Sequence, residues 1–591
     1  MNKPLESHSP GDHEQVNLRL MFDALIYDSD EEAWLRFTGA SSVYIAKTND
    51  DVTAVLDIIE AACAKGKFAV GYVSFEAASA FDSALVHHPS GSLPLAAFAI
   101  FDHAEETSRG AMSEPLSEPL DLDPVIDESD FFESIQQIKA YLRSGDSYQV
   151  NFTHQLKGNT TASPGSIFSF LCRAQPSPYS AFIETGDYAI CSVSPELFFE
   201  VNGASVRTEP MKGTRPRGRF PEEDAGFRSD LVGSEKDRAE NLMIVDMVRN
   251  DLGKIAVAGS VCAEELFSIK RFPTVWQQVS SISAKTDASL GELFSALFPC
   301  ASVTGAPKAR AMGIIRELET EARGVYTGAI GLVKPGRRAR FSVAIRTLTL
   351  DKHNDIANYG VGGGIVWDSD PDEEWQESLT KAKILSFDRQ SFRLFETMLY
   401  EPMSGVFLLN LHLDRLEASA HYFGFDIDVD SIRTRLCSLQ LLKRAKLRLL
   451  LGSDGDYELE EHPLSKVKSM VMLKLASRPV NSQDIFLFHK TTRRDVYDEA
   501  RNDVDHCDDV ILWNEKNELT ETTIANLFLE IDGELLTPPV ECGLLAGTYR
   551  RYMLENGRAK EAVLRKSDLV NASKIYVANS MRGLREARLV E

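Results

Sequence analysis

Asp237 and Glu240 stand three residues apart in a stretch whose periodicity predicts a helix, and Glu374 and Glu377 repeat that spacing in another. Positions i and i+3 share a helix face, so each pair would present two carboxylates to one side. Four converging carboxylates would suit a hard divalent cation such as Mg2+, which takes oxygen ligands and keeps positions open for an anionic substrate. A solvated helix face produces the same spacing, and in a chain with 88 acidic residues it recurs by chance. Two other candidates fail on their pattern. The glycines at 360–364 (GVGGG) miss G-x-G-x-x-G because position 365 is Ile, and Lys308 in TGAPK lacks P-loop spacing, so neither predicts a nucleotide site. The eight cysteines are scattered without a C-x-x-C, which suggests neither zinc nor a redox motif and fits reduced thiols.

The elements that must position these residues are interspersed helices and strands. Residues 234–252 read as a helix with Ser234 as N-cap and Asp237 at the capping-box position. Alternation over 188–201 and 341–350 predicts strands. The order lacks the regular β-α repetition of a Rossmann domain, so the class expected is multidomain α+β. At 591 residues the chain exceeds one hydrophobic core. The Ser-, Pro- and acid-rich stretch 104–124 reads as a linker after an N-terminal lobe (1–103), and a second joint at 386–391 separates residues 125–385 from 392–591. A net charge of −24 argues against a nucleic-acid partner. No apolar run is long enough for a bilayer and the first fifteen residues lack a secretory pattern, so a cytoplasmic protein is expected.

Within residues 130–385 a run of strings resembles the chorismate-utilising enzymes: SYQVNFT (147–153), SPYSAFIE (177–184), SVSPELFFEV (192–201), EPMKGTRPRG (209–218), DRAENLMIVDMVRNDLG (237–253), TGAPKARAM (304–312), YTGAIG (326–331), AIRTL (344–348) and GGGIVWDSDPDEEWQESL (362–379). The resemblance implies two stacked antiparallel sheets flanked by helices. It also implies that Glu240 and Glu377 are the main Mg2+ ligands with Asp237 and Glu374 in support, and that Tyr326 and Arg346 hold the enolpyruvyl carboxylate of chorismate. Thr214 joins the substrate set, and Gly362, Gly363 and Gly364 would let backbone amides approach a carboxylate, or simply form a tight turn. Lys212 in PMKGT is the discriminating residue, because aminodeoxychorismate synthases carry lysine where anthranilate and isochorismate synthases carry alanine. Its role by resemblance is to add to ring C2 as the C4 hydroxyl leaves, in a cation-rich or desolvated pocket that favours the free amine. Gln277 stands where relatives often have histidine, which leaves the acid for hydroxyl departure unassigned.

The second half resembles fold-type IV pyridoxal-phosphate enzymes through LFETML (394–399), NLHLDRLEASAHYFGF (410–425), HKTTRRDVYD (489–498), LTETTIANLF (519–528), GLLAGTYR (543–550) and VANSMRGL (577–584). By that resemblance the fold is aminotransferase-like and Lys490, after a strand-like IFLFH, carries pyridoxal 5'-phosphate. Arg415, Gly547 and Thr548 bind the phosphate, Glu521 pairs with the pyridine nitrogen, Asn526 shapes the pocket, and Tyr497 is a candidate contact for the phenolic oxygen. A homodimer through this half is compatible with it. Together the two resemblances imply amination of chorismate to 4-amino-4-deoxychorismate followed by loss of pyruvate to give 4-aminobenzoate. Ammonia would come from solution or from a separate glutamine amidotransferase subunit, since no glutaminase segment is visible. The alternatives are an anthranilate or other chorismate synthase joined to a fold-type IV aminotransferase, and a chain in which one half has lost catalysis and only binds or regulates.

Overall fold

A computed structural model describes residues 21–107, 113–114, 116, 119–386, 392–465, 468 and 470–590. The chain falls into two compact units, Met1–Pro216 with Arg228–Arg389, and Arg217–Phe227 with Gln390–Glu591.

The first unit is built on two ten-stranded sheets whose pairings are all antiparallel. Apolar side chains from both, among them Ile26, Phe37 and Ile183 from one and Tyr72, Phe101 and Ile330 from the other, form the layer between them. The helix Pro164–Ala174 covers the outer face of the first sheet, and Asn49–Ala64, Glu235–Gly253 and Leu290–Leu297 cover that of the second. Strands buried on both faces read as apolar runs, and this accounts for two departures from expectation. Residues 188–201 are two strands, Tyr188–Ser194 in the first sheet and Leu197–Asn202 in the second. Residues 341–350 likewise divide between Arg338–Val343 in the second sheet and Thr347–Asp351 in the first. Glu196 and Arg346 stand on the two segments that cross between central strands of the sheets, Arg346 with a left-handed φ of 51°.

The expected N-terminal lobe is not separate, because Phe22–Asp28 and Ala33–Phe37 complete one sheet while Ser42–Ala46, Phe68–Val73 and Ala96–Phe101 complete the other. Nor is 104–124 a free linker at its ends, since Glu105–Thr107 pairs with Ala33–Phe37 and Asp123–Pro124 with Gln149–Asn159. The expected joint falls mostly at 387–391, outside the described residues.

In the second unit a four-stranded sheet centred on Leu394–Glu401 and Ala445–Leu451 packs against the helices Leu409–Phe423 and Val429–Cys437. An eight-stranded sheet follows, with an added pairing of Leu519–Thr522 to Asn526–Ile531 that curls it into a barrel-like form around Leu473, Ile511, Leu527 and Val577. Among the described residues no helix is long and apolar enough to cross a membrane.

Candidate active sites

The first site is a cavity of about 400 Å³ that gathers Lys212, Thr214, Asp237, Glu240, Tyr326, Arg346, Glu374, Glu377 and the glycines 362–364. Two helices deliver the acids as their spacing predicts. Glu235–Gly253 starts at Ser234, whose side chain accepts from the Asp237 amide, but the Asp237 carboxylate turns to Arg215 Nη2 at 2.8 Å rather than closing a capping box. Pro371–Ala382 starts at Asp370, which accepts from the amides of Asp372 and Glu373, and carries Glu374 in its first turn and Glu377 in the next.

Each acid has a partner. Glu240 Oε2 lies 3.5 Å from Lys212 Nζ, Glu377 meets Lys381 at 2.5 Å, and Ser369 donates to Glu374 at 2.6 Å. Burial and the charge of Glu377 raise the Glu374 carboxyl above its usual range, while Lys381 holds Glu377 below it. Among the described residues no three His, Cys, Asp or Glu side chains are gathered closely enough to hold an ion as they stand. Of the two surroundings expected for Lys212, cation-rich or desolvated, its side chain is mostly buried and a carboxylate, that of Glu240, faces it.

The glycines lie inside the strand Ile356–Ile365, so they form no turn. Their use is to keep the strand's surface bare. A Cβ at Gly364 would lie 2.4 Å from Lys212 Nζ and 2.5 Å from Gln149 Nε2, and one at Gly363 would lie 3.0 Å from Glu374 Oε2. Tyr326 is buried, its ring filling the space that a Cβ at Gly360 would need, and Arg346 donates to the Lys381 carbonyl. Thr214 donates to Gln277 at 3.0 Å across the pairing of Met211–Pro216 with Val275–Lys285, so Gln277 orients Thr214.

Two further residues, Glu196 and Gln149, lay in the quoted strings without a role, and a third, Lys381, stands two residues past the end of one. Glu196, at one sheet crossing, lines the cavity and is 3% exposed; burial pushes its carboxyl up to about 7 against the opposing effects of Ser302 and Lys212. Gln149 is fully buried and neither atom of its carboxamide finds a partner among the described residues. Such an orphaned amide costs about 1–3 kcal/mol unless a ligand bonds to it. Lys381 also donates to the Gly362 carbonyl at 2.8 Å. Only the tertiary surroundings distinguish these residues from ordinary core and surface positions.

The second site is a cavity of about 530 Å³ lined by Lys490, Arg415, Glu521, Asn526, Gly547, Thr548 and Tyr497. Along one face of Leu409–Phe423 stand His412, Arg415, Ser419 and Tyr422, spaced by three and four residues. Arg415 makes a two-point bond to Glu396 (2.8 and 2.7 Å), and His412 Nδ1 meets the same carboxylate at 2.7 Å. Burial alone would raise Glu396, but Arg415 and His412 outweigh it and hold the carboxyl at about 2. Glu396 and His412 are thus further members that the sequence strings contained without distinguishing.

Lys490 follows a 3-10 turn, Ile485–Leu487, and not the expected strand, because the Asp484 side chain caps the Phe486 amide and bends the apolar run. Its carbonyl accepts from the Phe395 amide at 3.0 Å, and its Nζ lies 4.6 Å from the Phe395 ring centroid. Burial, reinforced by Arg415, brings the amine down to about 8. Glu521 is pushed up to about 7 by burial while accepting from the Leu545 amide (2.9 Å), the Tyr497 hydroxyl (2.9 Å) and Asn526 Nδ2 (3.2 Å). Tyr497, a candidate contact for the cofactor's phenolic oxygen, thus directs its hydroxyl to Glu521 within the same cavity. Gly547 precedes the helix Thr548–Glu555, and a Cβ on it would lie 1.9 Å from Asn526 Oδ1.

Residues 22–386 match the family described as chorismate binding enzyme, and residues 393–590 match amino-transferase class IV. Anthranilate synthase component 1 1 of Haloarcula marismortui is 40% identical over 293 residues, 48% of this chain and 60% of that protein. Aminodeoxychorismate synthase component 1 of Klebsiella aerogenes is 43% identical over 254 residues, 43% of this chain and 56% of that protein. Those matched regions span between half and two thirds of the relatives' lengths. Anthranilate synthase component I from Streptococcus pneumoniae TIGR4 superposes with a TM-score of 0.50 at 25% identity, over 65% of this chain and 94% of that one. With more than half its length matched, the chain belongs to the chorismate binding enzyme family, followed by a class IV aminotransferase domain.

Proposed function

We propose that the chain makes 4-aminobenzoate from chorismate in two steps, amination at ring C4 in the first site and elimination of pyruvate in the second. The observation that carries this reading is the side-chain amine of Lys212 facing the bare strand at Gly364, with the Glu196 carboxyl in the same cavity. In this reading Tyr326 and Arg346 hold the enolpyruvyl carboxylate. Lys212 forms a bond to C2 as both ring double bonds shift by one position and the C4–O bond breaks. Glu196, buried and titrating near neutrality, gives its proton to the departing hydroxyl, which leaves as water. Ammonia then adds at C4 and the Lys212 amine leaves from C2. The nitrogen source is ammonia, free or delivered by a separate glutamine amidotransferase subunit.

If Glu196 is that acid, Glu196→Gln lowers formation of aminodeoxychorismate by about 10²–10³-fold. An acid works protonated, so at fixed free ammonia the parent rate declines as pH rises through about 7. The residual rate of the variant lacks that decline; a pH profile unchanged by the substitution counts against the role.

The donors of the first cavity fit a divalent cation in kind, being all carboxylate oxygens, and the mutual repulsion of Glu374 and Glu377 is what such a cation relieves. Glu240 and Glu377 would hold Mg2+, with Glu374 and Asp237 in support, and the ion would supply positive charge for the ring carboxylate. Chelation should then stop ammonium-driven chorismate consumption by more than tenfold while supplied aminodeoxychorismate is still converted. Equal inhibition of both steps contradicts this arrangement.

The second cavity fits pyridoxal 5'-phosphate. It offers a buried amine at about 8, a carboxyl at about 7, and a helix start with Thr548 and a close-approach glycine near Arg415. Lys490 would attach the cofactor, Arg415 and Thr548 would hold its phosphate, and Glu521 would face its ring nitrogen. When bound, the cofactor supplies an electron sink. Lys490 takes the ring proton and returns it to the enolpyruvyl methylene, the ring C–O bond breaks, pyruvate leaves, and the ring becomes aromatic.

A further inference from the structure

The string EPMKGTRPRG carries Lys212 in its first half, yet Arg217–Phe227 belong to the other unit. Residues 217–220 form a turn that leads directly into the helix Pro221–Gly233, and the start of that helix closes back on the turn. Arg217, 5% exposed at its side chain, forms a two-point bond with Asp224 at 2.7 Å for each contact, and the Gly218 amide donates to the same carboxylate at 2.9 Å. A Cβ on Gly218 would lie 2.1 Å from the Asp224 amide nitrogen, so the turn admits no other residue there without rearrangement.

The turn then grips the helix and loop that flank Lys490. Arg217 lies 4.5 Å over the Tyr422 ring and donates to the Tyr422 carbonyl at 3.0 Å; the Tyr422 hydroxyl donates back to the Gly218 carbonyl at 2.6 Å. Phe220 stacks on Phe488, with centroids 5.4 Å apart and planes at 28°. Between Phe488 and Lys490 sits His489, fully buried, its ring 4.3 Å from that of Tyr422 and its Nδ1 3.0 Å from the Ser419 hydroxyl. Burial brings this imidazole down to about 3, so it is a neutral packing group near pH 7.

We propose that Arg217–Phe227 is a positioning element for Lys490: its turn fixes Tyr422 and Phe488, which clamp His489 and so aim the next residue into the second cavity. This rests on the reading of Lys490 as the cofactor-bearing lysine. The second catalytic unit is then incomplete when cut from the chain at 390, because eleven residues of its support are supplied by the segment that follows Lys212. A misplacement of about 1 Å at a reacting group costs up to about 10²-fold in rate.

The test uses the full chain loaded with pyridoxal phosphate and supplied with aminodeoxychorismate. Phe220→Ala should lower turnover per bound cofactor about tenfold and shift the visible absorbance of the lysine-bound cofactor, with KM changed less than twofold. Phe220→Tyr, which keeps the stack, should restore both, and Tyr422→Phe, which loses only the bond to Gly218, should fall between. A purely structural role would reduce the amount of folded, loaded protein but leave turnover per bound cofactor and the absorbance at parent values, and that result overturns the proposal. If the parent chain shows no absorbance that Lys490→Ala removes, the reading of Lys490 itself fails and the inference falls with it.

Discussion

Lys212→Ala should lose at least about 10³-fold of the 4-amino product formed from chorismate and ammonium, while supplied aminodeoxychorismate is still converted to 4-aminobenzoate at the parent rate. The magnitude follows from the role: a nucleophile that divides one difficult displacement into two easier ones has no replacement when it becomes a methyl group. The direction of selectivity follows too. Addition of the amine at C2 is what moves the leaving site to C4, so without it nitrogen can only attack C2 directly, and trace product should be the ortho isomer. Retention of the para product at more than a tenth of the parent rate would remove Lys212 from the mechanism. The cavity supports the assignment, since the amine lies over the bare strand at Gly364, in space that a side chain there would fill, with Glu240 3.5 Å away.

Lys490→Ala should produce the complementary result. Chorismate is consumed at the parent rate, aminodeoxychorismate accumulates, and 4-aminobenzoate formation falls by about 10³-fold or more, because both attachment of the cofactor and movement of the ring proton depend on one amine. The visible absorbance of the lysine-bound cofactor should disappear or shift in the same variant. Formation of 4-aminobenzoate at the parent rate would mean that another lysine does this work. Arg415→Ala offers no comparable separation, since its loss strands Glu396 as a buried, half-paired carboxylate and endangers the unit's fold.

What was legible in the sequence was the chemistry carried by helices. The pairs Asp237/Glu240 and Glu374/Glu377 line the same cavity because an i,i+3 spacing on an amphipathic helix is enough to decide a face. The strands were legible as strands but not as members of particular sheets. A run such as 188–201 is apolar on both sides, so nothing in its alternation shows that it leaves one sheet after Ser194 and enters the other at Leu197. The crossing is nevertheless where Glu196 gains its burial and its displaced titration, and the matching crossing gives Arg346 its left-handed backbone. Glu196 therefore could not be distinguished from any other glutamate in a chain with 88 acids.

The second site shows the same limit in another form. Arg415 and Lys490 stood out by resemblance, but Glu396, which holds Arg415, is defined only by a pairing between Leu394–Glu401 and a helix that begins at Leu409. IFLFH reads as a strand by composition, and a single side-chain cap from Asp484 is enough to make it a 3-10 turn. The stretch 217–227 reads as the natural continuation of the Lys212 string, and no local pattern reports that its partners lie two hundred residues away.

The most direct test of the central claim is chromatography of the products released by the unmodified chain from chorismate, Mg2+, pyridoxal phosphate and an ammonium salt. The account predicts 4-aminobenzoate and pyruvate in equal amounts, with glutamine unable to replace ammonium until an amidotransferase is added. Anthranilate or isochorismate as the main product would contradict it.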